Sequence, residues 1–198
     1  MRWEWDVFIS YPRGGEVAEW VEEFLLRRLT AKLTDAWDTG RPRIFLDRSA
    51  LGPGDALNAT LTAHLRAARV LVPVLTPSYL KRPYCMAELT TFLEREVAGG
   101  PSAIVPILAR GDARVPRQAV GDRLCEDMTG LIYVGVAFEG SPRFLELQDA
   151  AERLTRQILQ ALAGSPHQPD PAWPTVDMPE VPPERRVTPD IPMPRLGR

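Results

Sequence analysis

Apolar residues along the chain fall into short continuous runs separated by longer stretches with helical spacing. The runs predict five strands, at residues 5–11, 44–46, 70–75, 103–108 and 131–134. A short run without polar alternation is typical of a strand buried on both faces, as in a parallel sheet. Between the runs, apolar side chains recur every three or four positions, which predicts amphipathic helices. Strands that alternate with helices predict an α/β fold with a flavodoxin-like, doubly wound sheet of five parallel strands.

The last predicted helix starts near Ser141 and ends at Gly164, where the composition changes. Residues 165–198 hold ten of the chain's 20 prolines and few large apolar side chains. Proline has no backbone N–H to donate, so this segment is unsuited to a regular helix or sheet ladder. We therefore divide the chain into a domain at residues 1–164 and a Pro-rich tail or linker at residues 165–198, which is extended or disordered. The tail should contribute little to the fold unless it lies along a groove, and Trp173 is then its best-suited anchor.

Composition and charge limit the kinds of partner, location and metal site that the chain is expected to have. The 198 residues carry a formal net charge of −2 with basic and acidic side chains interspersed, so neither nucleic acid nor an anionic membrane is an expected partner. No apolar stretch reaches the length of a membrane span, and the amino terminus lacks the apolar core of a signal peptide, so a cytoplasmic location is expected. The two cysteines, Cys85 and Cys125, have no spaced partners, which argues against a disulfide framework and a zinc site. His64 and His167 have no metal-ligand companion, and no metal is predicted.

Polar side chains follow three of the predicted strands. Ser10, Tyr11 and Arg13 close the first strand, Asp47 follows the second, and Glu88 lies near the start of the helix after the third. The carboxyl ends of parallel strands meet at one edge of an open sheet, and ligands bind at that edge. We therefore expect these side chains to form one site, with Glu88 exposed at the edge of the sheet.

Three ordered motifs carry a resemblance to a known family: DVFISY at residues 6–11, FLDR at 45–48 with PGD at 53–55, and YCMAEL at 84–89. Through these motifs, residues 4–163 resemble a TIR (Toll/interleukin-1 receptor homology) domain of the bacterial, NAD-cleaving type. Three motifs in order are more specific than any one of them alone. The resemblance implies the TIR fold, and it makes residues 47–54 the BB loop, through which self-association is expected.

The function implied by the resemblance is that of an NAD+ nucleosidase, either a glycohydrolase or a cyclase, which cleaves the nicotinamide–ribose bond. Such a protein would act as an effector or signal generator in bacterial anti-phage immunity, activated by self-assembly. Glu88 matches the catalytic glutamate, and a carboxylate beside the ribose can stabilise an oxocarbenium-like cation. The substrate-binding residues implied are Ser10, Tyr11, Arg13, Asp47, Leu51 and Tyr84. No strand is followed by a Gly-rich dinucleotide fingerprint, so NAD+ is expected as the substrate and no cofactor is predicted.

Several alternatives stay open. A non-catalytic TIR adaptor would act through TIR–TIR contacts of the BB loop, because a fold does not settle a function. The tail would suit a linker to a sensor domain or partner protein outside this chain. Tyr84 stands where NAD-cleaving relatives often carry Trp, and its ring either stacks on the substrate or packs in the core. Cys85 is better explained as a small buried residue than as a nucleophile, because no histidine lies near it in sequence.

Overall fold

The computed structural model describes residues 2–37, 40–46 and 55–179 of the chain. Within these ranges, five strands form one sheet in the order β2-β1-β3-β4-β5, with parallel pairing throughout. The strands are β1 (Trp5–Ser10), β2 (Ile44–Leu46), β3 (Ala68–Leu75), β4 (Ile107–Leu108) and β5 (Glu126–Asp127). This strand order is that of a flavodoxin-like doubly wound sheet, which confirms the predicted fold class.

Helices connect the strands and cover the sheet. Between β1 and β2, α1 (Glu16–Trp20), a π-helical turn (Val21–Leu25) and α2 (Leu26–Ala36) follow one another without a break. The other helices are α3 (Asp55–Arg66), α4 (Pro83–Val97), α5 (Arg114–Val120), α6 (Val136–Glu139) and α7 (Pro142–Ala163). None of the helices in the described ranges is both long enough and apolar enough to cross a membrane.

Side chains of the central strands point alternately into two hydrophobic cores. Val7 and Val72 pack with the inner faces of α1, α2 and α7. Phe8 and Leu71, their neighbours in sequence, pack with α3, α4 and α5 on the other side of the sheet. Successive strand residues point to opposite faces, so a strand covered on both sides needs an uninterrupted apolar run. This is why β1 and β3 could be predicted from their runs.

The fourth strand is shorter than predicted. Pairing of residues 103–108 with β3 is broken into an isolated bridge at Ile104 and the two-residue strand β4. Pro106 lies between the two and has no N–H for the ladder.

The strand predicted at residues 131–134 is wrong. The fifth strand is Glu126–Asp127, and Thr129–Leu131 form a 3-10 helix. Ile132 is 2% exposed because it packs in the same hydrophobic core as the inner face of α7, and this packing explains the apolar run. The carboxylate of Glu126 is held by Arg153, with N–O distances of 2.9 and 2.6 Å, which allows an acidic residue in the edge strand.

Residues 165–179 contain no helix or strand, but they lie against the domain. Trp3 donates its indole N–H to the Pro166 carbonyl at 2.9 Å, and its ring packs against the ring of Trp173. The anchor expected of Trp173 is therefore present. The expectation that the tail adds little to the fold needs correction for this segment, because the segment buries apolar side chains.

The carboxyl half of the same segment follows α4. The backbone N–H of Val176 donates to the Thr91 hydroxyl at 3.1 Å, and Met178 is 8% exposed in the core around α4. Asn58 of α3 donates its side-chain amide to the Pro179 carbonyl at 3.1 Å. This part of the tail thus contacts both α3 and the middle of α4.

Candidate active site

A cavity of about 390 Å³ lies at the carboxyl edge of the sheet. Pro12 and residues 14–17 after β1 line it, as do residues 76–78 after β3 and Arg110, which forms an ion pair with Glu16. The strand order reverses between β1 and β3, and in doubly wound sheets this switch point is where ligands bind. Gly14 and Gly15 have φ of +82° and +81°, so the turn into α1 requires glycine for its backbone conformation.

Glu88 lies beside this edge, in the second turn of α4. Ser10, the last residue of β1, donates its hydroxyl proton to Glu88 Oε2. The Ser10 Oγ also lies 2.8 Å from the hydroxyl of Tyr79, and that hydroxyl donates to the Cys85 carbonyl at 3.0 Å. These contacts join the end of β1, the turn after β3 and the first turns of α4 at one point.

Glu88 is more buried than expected. The prediction was an exposed carboxylate at the edge of the sheet, but Glu88 is 4% exposed. It shares the inner face of α4 with Thr91 and Arg95, which follow at helical spacing and are also buried. The environment of the carboxylate is therefore largely desolvated, and its hydrogen bond to Ser10 is correspondingly strong.

Tyr79 was not identified as a site residue from the sequence. Its side chain is fully buried, and this burial raises the pKa of its phenol well above the ordinary value, with a further contribution from the nearby charge of Glu88. The hydroxyl therefore stays protonated and able to donate a hydrogen bond at neutral pH. Tyr79 lies four residues after the end of β3, and the sequence alone does not show where its hydroxyl points.

Tyr84 lies at the start of α4 and is half-buried. Its ring packs against the core between the sheet and α4, while its hydroxyl donates to Asn58 Oδ1 at 2.8 Å. Asn58 also holds the Pro179 carbonyl of the tail. Asn58 therefore connects Tyr84 to the tail through two hydrogen bonds, a connection that the sequence did not suggest.

Tyr11 and Arg13 are placed differently from Ser10. Tyr11 is 5% exposed and packs in the core on the opposite side of the sheet, where its hydroxyl donates to Glu22 at 2.8 Å. Arg13 is exposed between Pro12 and Gly14, two residues that line the cavity. Its carbonyl accepts a long hydrogen bond of 3.4 Å from Arg82. Glu88 is thus brought together with Ser10, while the Tyr11 side chain faces away from it.

Asp47 and Leu51 fall in residues 47–54, outside the described residues, so their assignment to the site and the role of the BB loop stay predictions. Cys85 is 6% exposed and packs in the core around α4, which confirms that it is a small buried residue. Among the side chains that the structure describes, no three His, Cys, Asp or Glu residues gather where they could hold a metal ion.

The sequence also matches a known family model. The model of the TIR domain matches residues 7–135, which is more than half of the chain and includes both Ser10 and Glu88. The chain belongs to the TIR domain family.

The TIR domain described here has a curated relative in a plant. It is 31% identical over 121 residues to the protein named "Probable 2' cyclic ADP-D-ribose synthase BdTIR" of Brachypodium distachyon. The match covers 60% of this chain and 47% of that protein, so the chain spans about half the length of its curated relative.

Solved structures resemble the TIR domain in fold. The crystal structure of the TIR domain of the Toll-related receptor TRR-2 from Hydra magnipapillata has a TM-score of 0.51 at 19% identity, covering 80% of this chain and 98% of that one. The TIR domains of the activated Roq1 resistosome have a TM-score of 0.41 at 17% identity, covering 83% and 87%. At this identity the Hydra structure supports the fold alone.

Proposed function

We propose that this TIR domain is an NAD+ nucleosidase, with Glu88 as the carboxylate that faces the nicotinamide ribose. The observation that carries the proposal is the pairing of Glu88 with Ser10 where α4 meets the carboxyl end of β1. Ser10 lies two residues before Pro12, which lines the cavity at the switch point of the sheet. The plant relative, which is named a probable 2' cyclic ADP-D-ribose synthase, favours the same class of chemistry. We extend the proposal to a bacterial immune effector or signal generator that self-assembly activates.

The proposed chemistry requires a carboxylate rather than a general acid. In NAD+ the nicotinamide nitrogen carries the positive charge, so the bond to ribose C1′ breaks with its electron pair going to nicotinamide, which leaves neutral without needing a proton. Positive charge then develops on the ribose, and a carboxylate close to the ring stabilises it. In the hydrolytic reaction water adds to C1′ and loses a proton, giving ADP-ribose. In the cyclase reaction a group of the same nucleotide adds to the ribose instead.

The remaining parts of NAD+ would use the neighbouring surfaces. The cavity lined by residues 14–17 and 76–78 has the position expected for a dinucleotide at the switch point. Arg13, at its rim, is suited to the diphosphate because a guanidinium binds two oxygens at once. Tyr84 offers an aromatic ring for stacking once its hydroxyl leaves Asn58. Asp47 and Leu51 would complete the site from the BB loop. NAD+ in this proposal is a substrate and not a resident cofactor.

The decisive experiment measures nicotinamide release from NAD+ by the purified chain at high protein concentration. We expect release by the wild type and its loss, by at least about 100-fold, in Glu88→Gln, because the amide keeps the shape but lacks the charge that stabilises the ribose cation. Glu94→Gln is the matched control, since Glu94 lies on the same helix and is exposed. Its activity should equal that of the wild type.

Two results would contradict the proposal. One is the absence of nicotinamide release by folded wild-type protein, which would favour the adaptor function instead. The other is a Glu88→Gln variant that melts like the wild type and retains its activity, because Glu88 would then have no part in the reaction.

A further inference from the structure

The turn that follows β3 carries Tyr79, whose hydroxyl contacts the Ser10 side chain that binds the proposed catalytic carboxylate. Thr76 fixes this turn, since the backbone N–H of Tyr79 donates to both its carbonyl, at 3.1 Å, and its hydroxyl, at 2.9 Å. The Thr76 hydroxyl lies 2.8 Å from that of Ser78. The Tyr79 ring is fully buried in the core around α4. The backbone and ring of Tyr79 are therefore held by contacts that do not involve its hydroxyl. The position of the hydroxyl is fixed by these contacts, whatever the hydroxyl itself binds.

The hydroxyl of Tyr79 contacts two partners, both of which lead to Glu88. One is the Oγ of Ser10 at 2.8 Å, and the other is the carbonyl of Cys85, three residues before Glu88 on α4, at 3.0 Å. Ser10 donates its single proton to Glu88. The Tyr79 hydroxyl is therefore the donor toward both the Ser10 oxygen and the Cys85 carbonyl, which share its one proton. Tyr79 thus positions both the residue that binds the carboxylate and the helix that carries it.

We propose that Tyr79 is a positioning residue for Glu88, which acts through Ser10 and the first turns of α4 without touching the substrate. This inference rests on the proposed function for its effect on turnover, but not for its effect on the carboxylate itself. Without the tyrosine hydroxyl, the Ser10 side chain loses the partner that holds its rotamer. The carboxylate then samples orientations in which it no longer faces the ribose, and small misplacements of a reacting group are costly.

The first test is Tyr79→Phe, which removes one oxygen and keeps the buried ring. We expect kcat for nicotinamide release to fall by about 10- to 100-fold. KM should change by less than about threefold, since no contact with the substrate is lost. Thr155→Val is the matched control: Thr155 is 2% exposed on α7, and its hydroxyl donates to the Ala151 carbonyl at 2.7 Å. This variant also loses a buried hydroxyl, but kcat per folded molecule should not change.

A double-mutant cycle tests the route through Ser10. In a Ser10→Ala background, Tyr79→Phe should lower kcat by much less than it does alone, because the contact between the Tyr79 hydroxyl and Ser10 is already absent. Ser10→Thr, which retains a hydroxyl, should keep more activity than Ser10→Ala. Equal effects of Tyr79→Phe in both backgrounds would overturn the coupling through Ser10, and an unchanged kcat per folded Tyr79→Phe molecule would overturn the proposal.

A readout that does not depend on turnover separates this proposal from the proposed function. In protein labelled with ¹³C at the glutamate carboxyl carbons, Glu88→Gln assigns the Glu88 resonance by its absence. Tyr79→Phe should shift that resonance and its midpoint in a pH titration, and Thr155→Val should leave both unchanged. If wild-type protein releases no nicotinamide, the proposed function fails while the resonance still decides whether Tyr79 positions Glu88. A Glu88 resonance unmoved by Tyr79→Phe overturns the positioning role.

Discussion

The indole rings of Trp3 and Trp173 lie with their centroids 6.1 Å apart, so the residue that leads into the first strand contacts the Pro-rich tail. The same Trp3 indole donates its N–H to the Pro166 carbonyl. Gly100 lies beside the Trp173 ring and has no room for a side chain, since a Cβ at this position would lie 2.8 Å from the Arg95 carbonyl oxygen. The two ends of the described chain are therefore held together by a packed aromatic pair.

Replacement of Trp173 by alanine should destabilise the domain. Because Trp173 is only half-buried, we expect a loss of about 1–2 kcal/mol, less than for an indole in the core. For a chain of this size that corresponds to a melting temperature lower by roughly 2–8 °C, measurable by calorimetry. Trp173→Phe keeps an aromatic ring against Trp3 and should lose less than half as much. An unchanged melting temperature in Trp173→Ala would show that the tail does not pack in solution.

A second prediction concerns Asp6, which joins the first two strands at the end of the sheet opposite the candidate site. Asp6 is 5% exposed and accepts three hydrogen bonds from Arg43, from the backbone N–H at 2.9 Å and from the guanidinium at 3.0 and 3.2 Å. The hydrogen bonds to Asp6 raise the pKa of the Arg43 guanidinium. Asp6→Asn places an amide N–H₂ against these donors, and we expect a loss of about 2–3 kcal/mol in the free energy of unfolding.

Asp112→Asn is the control for Asp6→Asn. Asp112 pairs with Arg114 at the surface, where the two side chains are 55% and 91% exposed. Exposed ion pairs contribute little to stability, so this variant should unfold at nearly the wild-type urea concentration. Equal urea midpoints for the two variants would contradict the structural role of Asp6.

The parts of the fold that could be predicted from sequence are those where burial on both sides of the sheet imposes a continuous apolar run. β1 and β3 have such runs, whereas β5 consists of Glu126 and Asp127 at an edge. It could not be predicted because its pairing depends on backbone groups and on an ion pair with Arg153 from a distant helix. Apolar residues at 131–132 instead fill the core from outside the sheet.

Part of the candidate site could also be predicted from the sequence. Ser10 and Glu88 were placed at one edge by the rule that parallel strands end together. Glu88 was wrongly expected to be exposed, although its spacing of four residues from Phe92, on one helical face, was a signal of its burial. Tyr79 could not be recognised, because its role depends on where its hydroxyl lies relative to β1 and α4.

Alkaline pH should destabilise the protein partly through Cys125. Burial raises the pKa of the Cys125 thiol from 9.0 to about 12, with smaller contributions from the charges of Asp127 and Glu126. Between these two values the unfolded thiol has lost its proton while the folded thiol retains it. The unfolded state therefore binds fewer protons, and stability falls as pH rises from about 9 towards 12.

The measurement compares the wild type with Cys125→Ala in urea unfolding at several pH values from 8 upwards. Both proteins lose stability at high pH, since Tyr79 contributes in the same direction above the ordinary pKa of tyrosine. The fall should be shallower in Cys125→Ala, and also in Cys125→Ser, neither of which has a thiol to ionise. Parallel curves for all three proteins would show that Cys125 ionises equally easily in the folded and unfolded states.

The last prediction is that NAD+ cleavage depends on self-association. In the single chain Glu88 is 4% exposed, so the ribose can reach the carboxylate only after neighbouring groups have moved. A contact between copies that favours the open arrangement would supply the free energy for this movement. The resemblance to TIR domains assigns such a contact to residues 47–54. Specific activity should therefore rise with protein concentration, in parallel with the mass measured by light scattering. Leu51→Asp, which would bring a charge into the contact, should lower both quantities at a given concentration. A rate strictly proportional to concentration, in a protein that stays monomeric throughout, would show that one chain forms the complete active site.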